Sequence, residues 1–169
     1  MKFCIDIETT GLSPIEDRIL SIGVLNIEHE TPVIFYGEDE SKILTQFWIA
    51  IEGADALINF NGDAFDIPFL IKRSLVNNIK ISQIKKSIDL RKVCNSFFYS
   101  YDKYARGSLR FWGKVLGFDI KTEDGSKMKE FYEKKDWKSI KEHNSEDLQM
   151  TKALYERCIN CRVLQNEKN

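Results

Sequence analysis

The stretch that most constrains this chain is Phe3-Cys4-Ile5-Asp6-Ile7-Glu8-Thr9-Thr10-Gly11-Leu12. Residues 2 to 7 alternate and are rich in apolar and β-branched types, which predicts a buried strand. Asp6 and Glu8 stand two apart, so on a strand both side chains point to one face. Two carboxylates side by side on an element destined for a core are costly unless a cation neutralises them, and a hard divalent metal is the simplest such cation. A DxE pair on a partly exposed strand needs no such partner, because Asp and Glu are mostly solvated. The meaning of the pair depends on what the rest of the chain brings to it.

A chain of 169 residues with 43% apolar and 30% charged content is expected to form a single domain, 1–169, with a sizeable core. No apolar run approaches the roughly 20 residues of a membrane span. Met1-Lys2 runs straight into the strand without a signal-peptide pattern. An intracellular, cytoplasmic protein with no membrane partner is expected. The net charge of −1 hides a segregation. Residues 1–66 carry 13 acids against Lys2, Arg18 and Lys42, whereas residues 67–114 carry 11 bases against Asp89 and Asp102. An acidic region able to hold metals beside a basic region able to hold phosphates is the pattern of a nucleic-acid enzyme, although charge blocks also arise as solvated faces. The four cysteines do not suggest a disulfide framework in a chain without a secretory signal. Cys158 and Cys161 form a CxxC pair that lacks a second closely spaced ligand pair, so thiols on a C-terminal helix are expected rather than a zinc site.

Strands are expected over 2–7, 18–27, 32–36 and 56–60, and a short strand or loop near 84–90. The first three should form an antiparallel meander. Helices are expected over 38–51, 64–76 (starting near Phe65), 108–116 with Gly117 as C-cap, 128–132, 137–142 and 144–162. Strands first and then strands alternating with helices indicate an α/β domain with a mixed sheet.

Asp66 falls at the start of a helix, just beyond the carboxyl end of the fourth strand, where open α/β sheets form their sites. Helix capping would equally account for an Asp at that place. His143 and Asp147 are four apart near the expected start of the last helix and therefore share a face.

Together these segments resemble a known pattern. FCIDIETTGL, LINFNGDAFDIPFL and HNSEDLQMT, in this order, are similar to the three motifs of the DEDD-type 3′-to-5′ exonucleases, which have a ribonuclease H-like fold. The first matches DxET-G-L through Asp6, Glu8, Thr9, Gly11 and Leu12. The second matches the Asn-x3-Phe-Asp pattern of family B DNA polymerase proofreading domains through Asn61, Phe65 and Asp66, and the third supplies Asp147. The resemblance extends from residue 2 to about residue 155. It implies a three-layer domain with a mixed five-stranded sheet flanked by helices. One departure stands out: His143 takes the place of a tyrosine at Tyr-x3-Asp spacing, where the histidine branch has His-x4-Asp, and one residue rotates a helical side chain by about 100°.

The resemblance implies Asp6, Glu8, Asp66 and Asp147 as ligands of two Mg²⁺ or Mn²⁺ ions, with His143 and Glu8 as catalytic residues. A neutral imidazole, with an ordinary pKa of about 6.5, suits the acceptance of a proton from water. Thr9, Thr10 and Leu12 would grip the terminal nucleotide, and Asn61 and Phe65 the next ones, although Phe65 reads equally well as a core anchor. The basic stretch with Phe97, Phe98, Tyr99, Tyr101, Tyr104 and Phe111 could track a nucleic-acid backbone. The expected substrate is a single-stranded 3′ end, DNA before RNA, with a polymerase or repair protein as partner in trans. A catalytically weak nucleic-acid-binding module and an RNA-processing exoribonuclease are the alternatives.

Overall fold

The computed structural model describes residues 1–95, 107–122 and 125–165. In chain order it contains β1 (Lys2–Thr9), β2 (Ile19–Asn26), β3 (Val33–Tyr36), α1 (Glu40–Ala50), β4 (Ala56–Asn59), α2 (Asp66–Val76), β5 (Ser87–Asp89), α3 (Leu90–Asn95), α4 (Leu109–Val115), a 3-10 turn at Gly125–Lys127, α5 (Met128–Glu133) and α6 (Trp137–Asn160). The sheet has five strands in the order β3-β2-β1-β4-β5. The pairs β1–β2 and β2–β3 are antiparallel, while β1–β4 and β4–β5 are parallel. This is the expected mixed α/β sheet, with β1 at its centre.

Alternation along β1 divides the molecule. Phe3, Ile5 and Ile7 enter a core with Leu44, Phe47 and Trp48 of α1 and Phe69 and Leu70 of α2. Cys4 faces the other way, toward Leu148, Leu154 and Tyr155 of α6. Asp6 and Glu8 share that second face, so the pair points toward α6 as the spacing requires. A register shift between Glu8 and Thr9 ends regular pairing beside them, and irregularities of this kind commonly re-aim side chains next to a site.

The sequence predicts separate helices over 137–142 and 144–162, and here the structure differs. Trp137–Asn160 is one helix of 24 residues. No Gly or Pro interrupts it, and the Asp136 carboxylate caps its first turn by accepting the Ser139 N–H at 3.1 Å. His143 is therefore two turns inside a continuous helix rather than at a helix start.

Helix α6 lies close on the sheet because of Gly23. This residue pairs with Asp6 in the register. A Cβ at Gly23 would stand 2.2 Å from Asn144 Oδ1 and 2.5 Å from Leu148 Cδ1. Lys152, buried on the same helix, anchors the β2–β3 connection by donating to the His29 carbonyl at 2.7 Å and pairing with Glu30 at 2.8 Å.

The two charge blocks partly neutralise each other. Arg73 makes paired bonds to the buried Glu40 at 2.9 and 2.6 Å, Lys85 meets Asp55 at 3.1 Å, and Lys92 meets Asp63 at 2.6 Å. The basic stretch is thus in part a set of partners for the acidic one. Phe97, Phe98, Tyr99, Tyr101 and Tyr104 lie outside the described residues. All four cysteines are free thiols.

Gly23→Ala is expected to lower stability by about 1 to 3 kcal/mol through overpacking, read as a drop in the urea midpoint. A variant as stable as the parent would show that α6 can shift outward without loss.

Candidate metal centre

Three elements carry the carboxylates to one place. β1 supplies Asp6 and Glu8. Asp66 opens α2 and reaches back across the parallel β1–β4 pair, its Oδ1 accepting the Ile7 backbone N–H at 3.1 Å. Asp147 and His143, four apart on α6, close the cluster: His143 Nε2 lies 3.6 Å from Asp147 Oδ2 and 3.5 Å from Glu8 Oε1. Asn144, one residue on, donates its amide to Asp6 Oδ2 at 2.7 Å. Glu8 and His143 are buried at 6% and 4% exposure.

The turn that delivers Asp66 is shaped by its own polar groups. Gly62 donates its N–H to Asn59 Oδ1 at 2.7 Å, with the Asn59 side chain packed where a Cβ would stand. Asn61 adopts φ +70°, a left-handed conformation that Asn tolerates. Its N–H goes to buried Asp89 at 2.8 Å, and its Oδ1 accepts from Arg91 Nη1 at 2.7 Å. Asp89 thereby fixes the turn, and its charge adds to the field on Asp66. Asp89 falls in the stretch expected as a short strand or loop near 84–90, where no local pattern assigns it this part.

Electrostatically the cluster is unbalanced. Burial, then repulsion from Glu8, Asp147 and Asp66, raises the Asp6 carboxyl far above its ordinary range, outweighing the Asn144 hydrogen bond. Glu8 is raised by burial and then by Asp147 and Asp66. Asp66 and Asp147, with ordinary values of 3.8, are both pushed up to about 7. Burial is the first cause for each; Asp89 and Asp147 add to Asp66, and Glu146 adds to Asp147 while the Arg110 guanidinium acts against it. Two unit charges 4 Å apart repel by about 4 kcal/mol at an effective dielectric near 20. Repulsion of this kind, added to burial, favours a cation among the four carboxylates.

A metal fits this arrangement. Asp147 Oδ1 is buried with no hydrogen-bond partner. The donors are hard carboxylate oxygens with one imidazole nitrogen, a set suited to divalent cations. Among the described residues, Glu8, His143 and Asp147 can each bring one donor atom within 4.8 Å of the others. Asp6 and Asp66 adjoin them.

The residues expected to contact nucleic acid lie at the end of β1, on the β1–β2 loop and in the turn before α2. Leu12 is 83% exposed on the β1–β2 loop. Asp17 holds that loop, accepting from Thr10 Oγ1 at 3.1 Å and Ser13 N at 2.9 Å, and its carboxylate fills the space a Gly11 Cβ would need. Thr9 Oγ1 donates to the Gly11 carbonyl at 2.6 Å. Phe65 is half-buried against Phe69, ring centres 5.4 Å apart, and borders the core of α1 and α2. Asn61 is held within its turn, and Phe111 is exposed on α4. Thr122 and Glu146 were not singled out from the sequence. Thr122 Oγ1 stands 3.0 Å from His143 Nδ1 and bonds Glu146; their separation in the chain leaves no local pattern to find them by.

An acid that holds its proton more tightly folded than unfolded destabilises the fold as it ionises. With folded values of about 7 against 3.8 for Asp66 and Asp147, the contribution of these groups is fully present below about pH 4 and is lost as pH rises through about 7. In EDTA the melting temperature is expected to fall across that window. Mn²⁺ should restore most at its alkaline end, and Asp147→Asn should flatten the slope. A metal-free melting temperature that climbs with pH would contradict the buried repulsion.

Comparison with known proteins agrees with this architecture. Residues 3–159 match the family model of the RNase_H superfamily. An uncharacterized protein of Methanocaldococcus jannaschii is 36% identical over 179 residues, covering 97% of this chain and 98% of its own length. The structure of the family B DNA polymerase from the hyperthermophilic archaeon Pyrobaculum calidifontis is similar with a TM-score of 0.79 at 15% identity, over 96% of this chain and 25% of the polymerase chain. The likeness to the polymerase is one of fold, and the chain spans about a quarter of that protein's length. With a family match over nearly its whole length and the five-stranded mixed sheet in place, this chain belongs to the RNase_H superfamily.

Proposed function

We propose that residues 1–169 act as one metal-dependent 3′-to-5′ exonuclease unit, hydrolysing phosphodiester bonds at single-stranded 3′ ends. The observation that carries the reading is the convergence of Asp6, Glu8, Asp66 and Asp147 from β1, α2 and α6, in motif order, into one buried cluster in which every carboxyl is raised above its ordinary value. In this reading those carboxylates hold two Mg²⁺ or Mn²⁺ ions. Bound there, such ions supply Lewis acidity that makes a water nucleophilic and stabilises the leaving 3′ oxygen.

The remaining work belongs to the chain. The exposed Leu12, on a loop fixed by Thr10 and Asp17, meets the terminal nucleotide, and the Thr9–Gly11 backbone borders it. The half-buried Phe65 offers a ring edge for the next base, where stacking tolerates any sequence. His143 and Glu8 face the reacting centre as proton acceptors or ligands. The motif resemblance to proofreading domains and the fold likeness to part of a DNA polymerase support DNA before RNA, and a polymerase or repair protein as partner in trans. Among the described residues no helix is long and apolar enough to cross a membrane.

The test is digestion of 5′-labelled single-stranded DNA and RNA with Mn²⁺, Mg²⁺ or EDTA. A ladder shortening from the 3′ end is expected. Asp66→Ala should reduce it to the level seen in EDTA. Salt-sensitive binding without cleavage by the parent protein would replace this reading with that of a binding module.

A further inference from the structure

His143 is a histidine at the tyrosine branch's spacing, and its surroundings point to a task other than that of either branch's residue. On one continuous helix the i, i+4 pair His143 and Asp147 points at the same place, where β1 brings Glu8. Nε2 lies 3.5 Å from Glu8 Oε1 and 3.6 Å from Asp147 Oδ2. Hydrogen bonds of this kind close to about 2.7 to 3.2 Å, so these separations are too long for direct donation. Donor atoms that share one ion at about 2.0 to 2.2 Å stand roughly 3.0 to 3.5 Å from each other. The observed spacing is close to that of co-ligands.

The other ring nitrogen explains how Nε2 is kept ready. Nδ1 lies 3.0 Å from Thr122 Oγ1, and the Thr122 hydroxyl donates its proton to Glu146 Oε2. Glu146 also accepts the backbone N–H groups of Lys121 at 2.9 Å and Thr122 at 3.3 Å. A hydroxyl has one proton. With that proton spent on Glu146, Thr122 can offer His143 only a lone pair, so Nδ1 carries the hydrogen toward it and Nε2 faces Glu8 and Asp147. A histidine donating its far N–H to an oxygen in this way is the usual companion of metal ligation.

We propose that His143 is a metal ligand through Nε2, forming a mixed nitrogen and oxygen position with Glu8 and Asp147, and that Thr122 and Glu146 are its positioning residues. This rests on the reading that the carboxylate cluster holds divalent ions. A nitrogen ligand suits Mn²⁺ and later divalent ions over Mg²⁺, which favours oxygen alone. Coordination also occupies the lone pair, so the proton of the attacking water goes to a carboxylate oxygen or to solvent rather than to His143.

The test uses Mn²⁺ bound to the metal-free protein and pulsed electron paramagnetic resonance, with no substrate present. Wild-type protein should show modulation from a directly bound ¹⁴N nucleus that changes when histidine is labelled with ¹⁵N. The sequence has only two histidines, and His143→Gln should abolish the signal. Thr122→Val should weaken Mn²⁺ binding on the order of 10- to 100-fold while Thr122→Ser restores it. Mn²⁺ bound by wild type without nitrogen modulation would overturn the ligand assignment and leave the carboxylate reading standing. Failure of wild type to bind Mn²⁺ at all would overturn both.

Discussion

Mutual repulsion among Asp6, Glu8, Asp66 and Asp147, enclosed together between the sheet and α6, is the constraint to which the rest of the chain is fitted. Two of the four are held in direction by a neutral group rather than neutralised: Asp66 by the Ile7 N–H, Asp6 by the Asn144 amide. Such bonds aim an oxygen without cancelling its charge. The arrangement persists because the hydrophobic layers on both sides of β1 outweigh it, an instance of strain at a site being supported by the surrounding fold.

The treatment of Glu40 shows that this is not a general habit of the molecule. Glu40 is as deeply buried as Glu8, yet it receives two bonds from Arg73, one from Asn77 and one from the Ile19 N–H, and its carboxyl sits below the usual range despite burial. Lys152 is buried with equal care. The fold supplies partners to the acid and the base that serve structure. On the α6 face of β1, Asp6 receives the neutral Asn144 amide where Glu40 receives a guanidinium.

The sequence was legible wherever a short pattern carries the physics. Period-two alternation gave the facing of Asp6 and Glu8, the strand-to-helix turn located Asp66, and four-residue spacing put His143 and Asp147 on one face. Long-range features were not legible. The joining of 137–142 to 144–162 follows from the lack of a breaker, a weaker signal than a polar stretch. Gly23 gives no local hint that a helix rests on it. Asn61 is bound by Arg91 and Asp89, 30 and 28 residues away, and Thr122 reaches His143 across 21 residues. The segregated charges suggested a phosphate-binding face, because nothing in a linear chain announces that Arg73, Lys85 and Lys92 will turn back onto Glu40, Asp55 and Asp63.

The Arg73–Glu40 pair also reaches beyond its own two helices. Arg73 Nη1 donates to the Pro14 carbonyl at 3.2 Å, and Glu40 accepts the N–H of Ile19 at 2.7 Å, so the middle of the loop carrying Leu12 and Ile15 and the start of β2 are tied to one buried ion pair. Removing one partner of such a pair costs about 3 to 5 kcal/mol. The β1–β2 loop and the start of β2 are thus seated on the α1–α2 layer through one ion pair, so a substitution at Glu40 or Arg73 would loosen a surface that those helices do not themselves form.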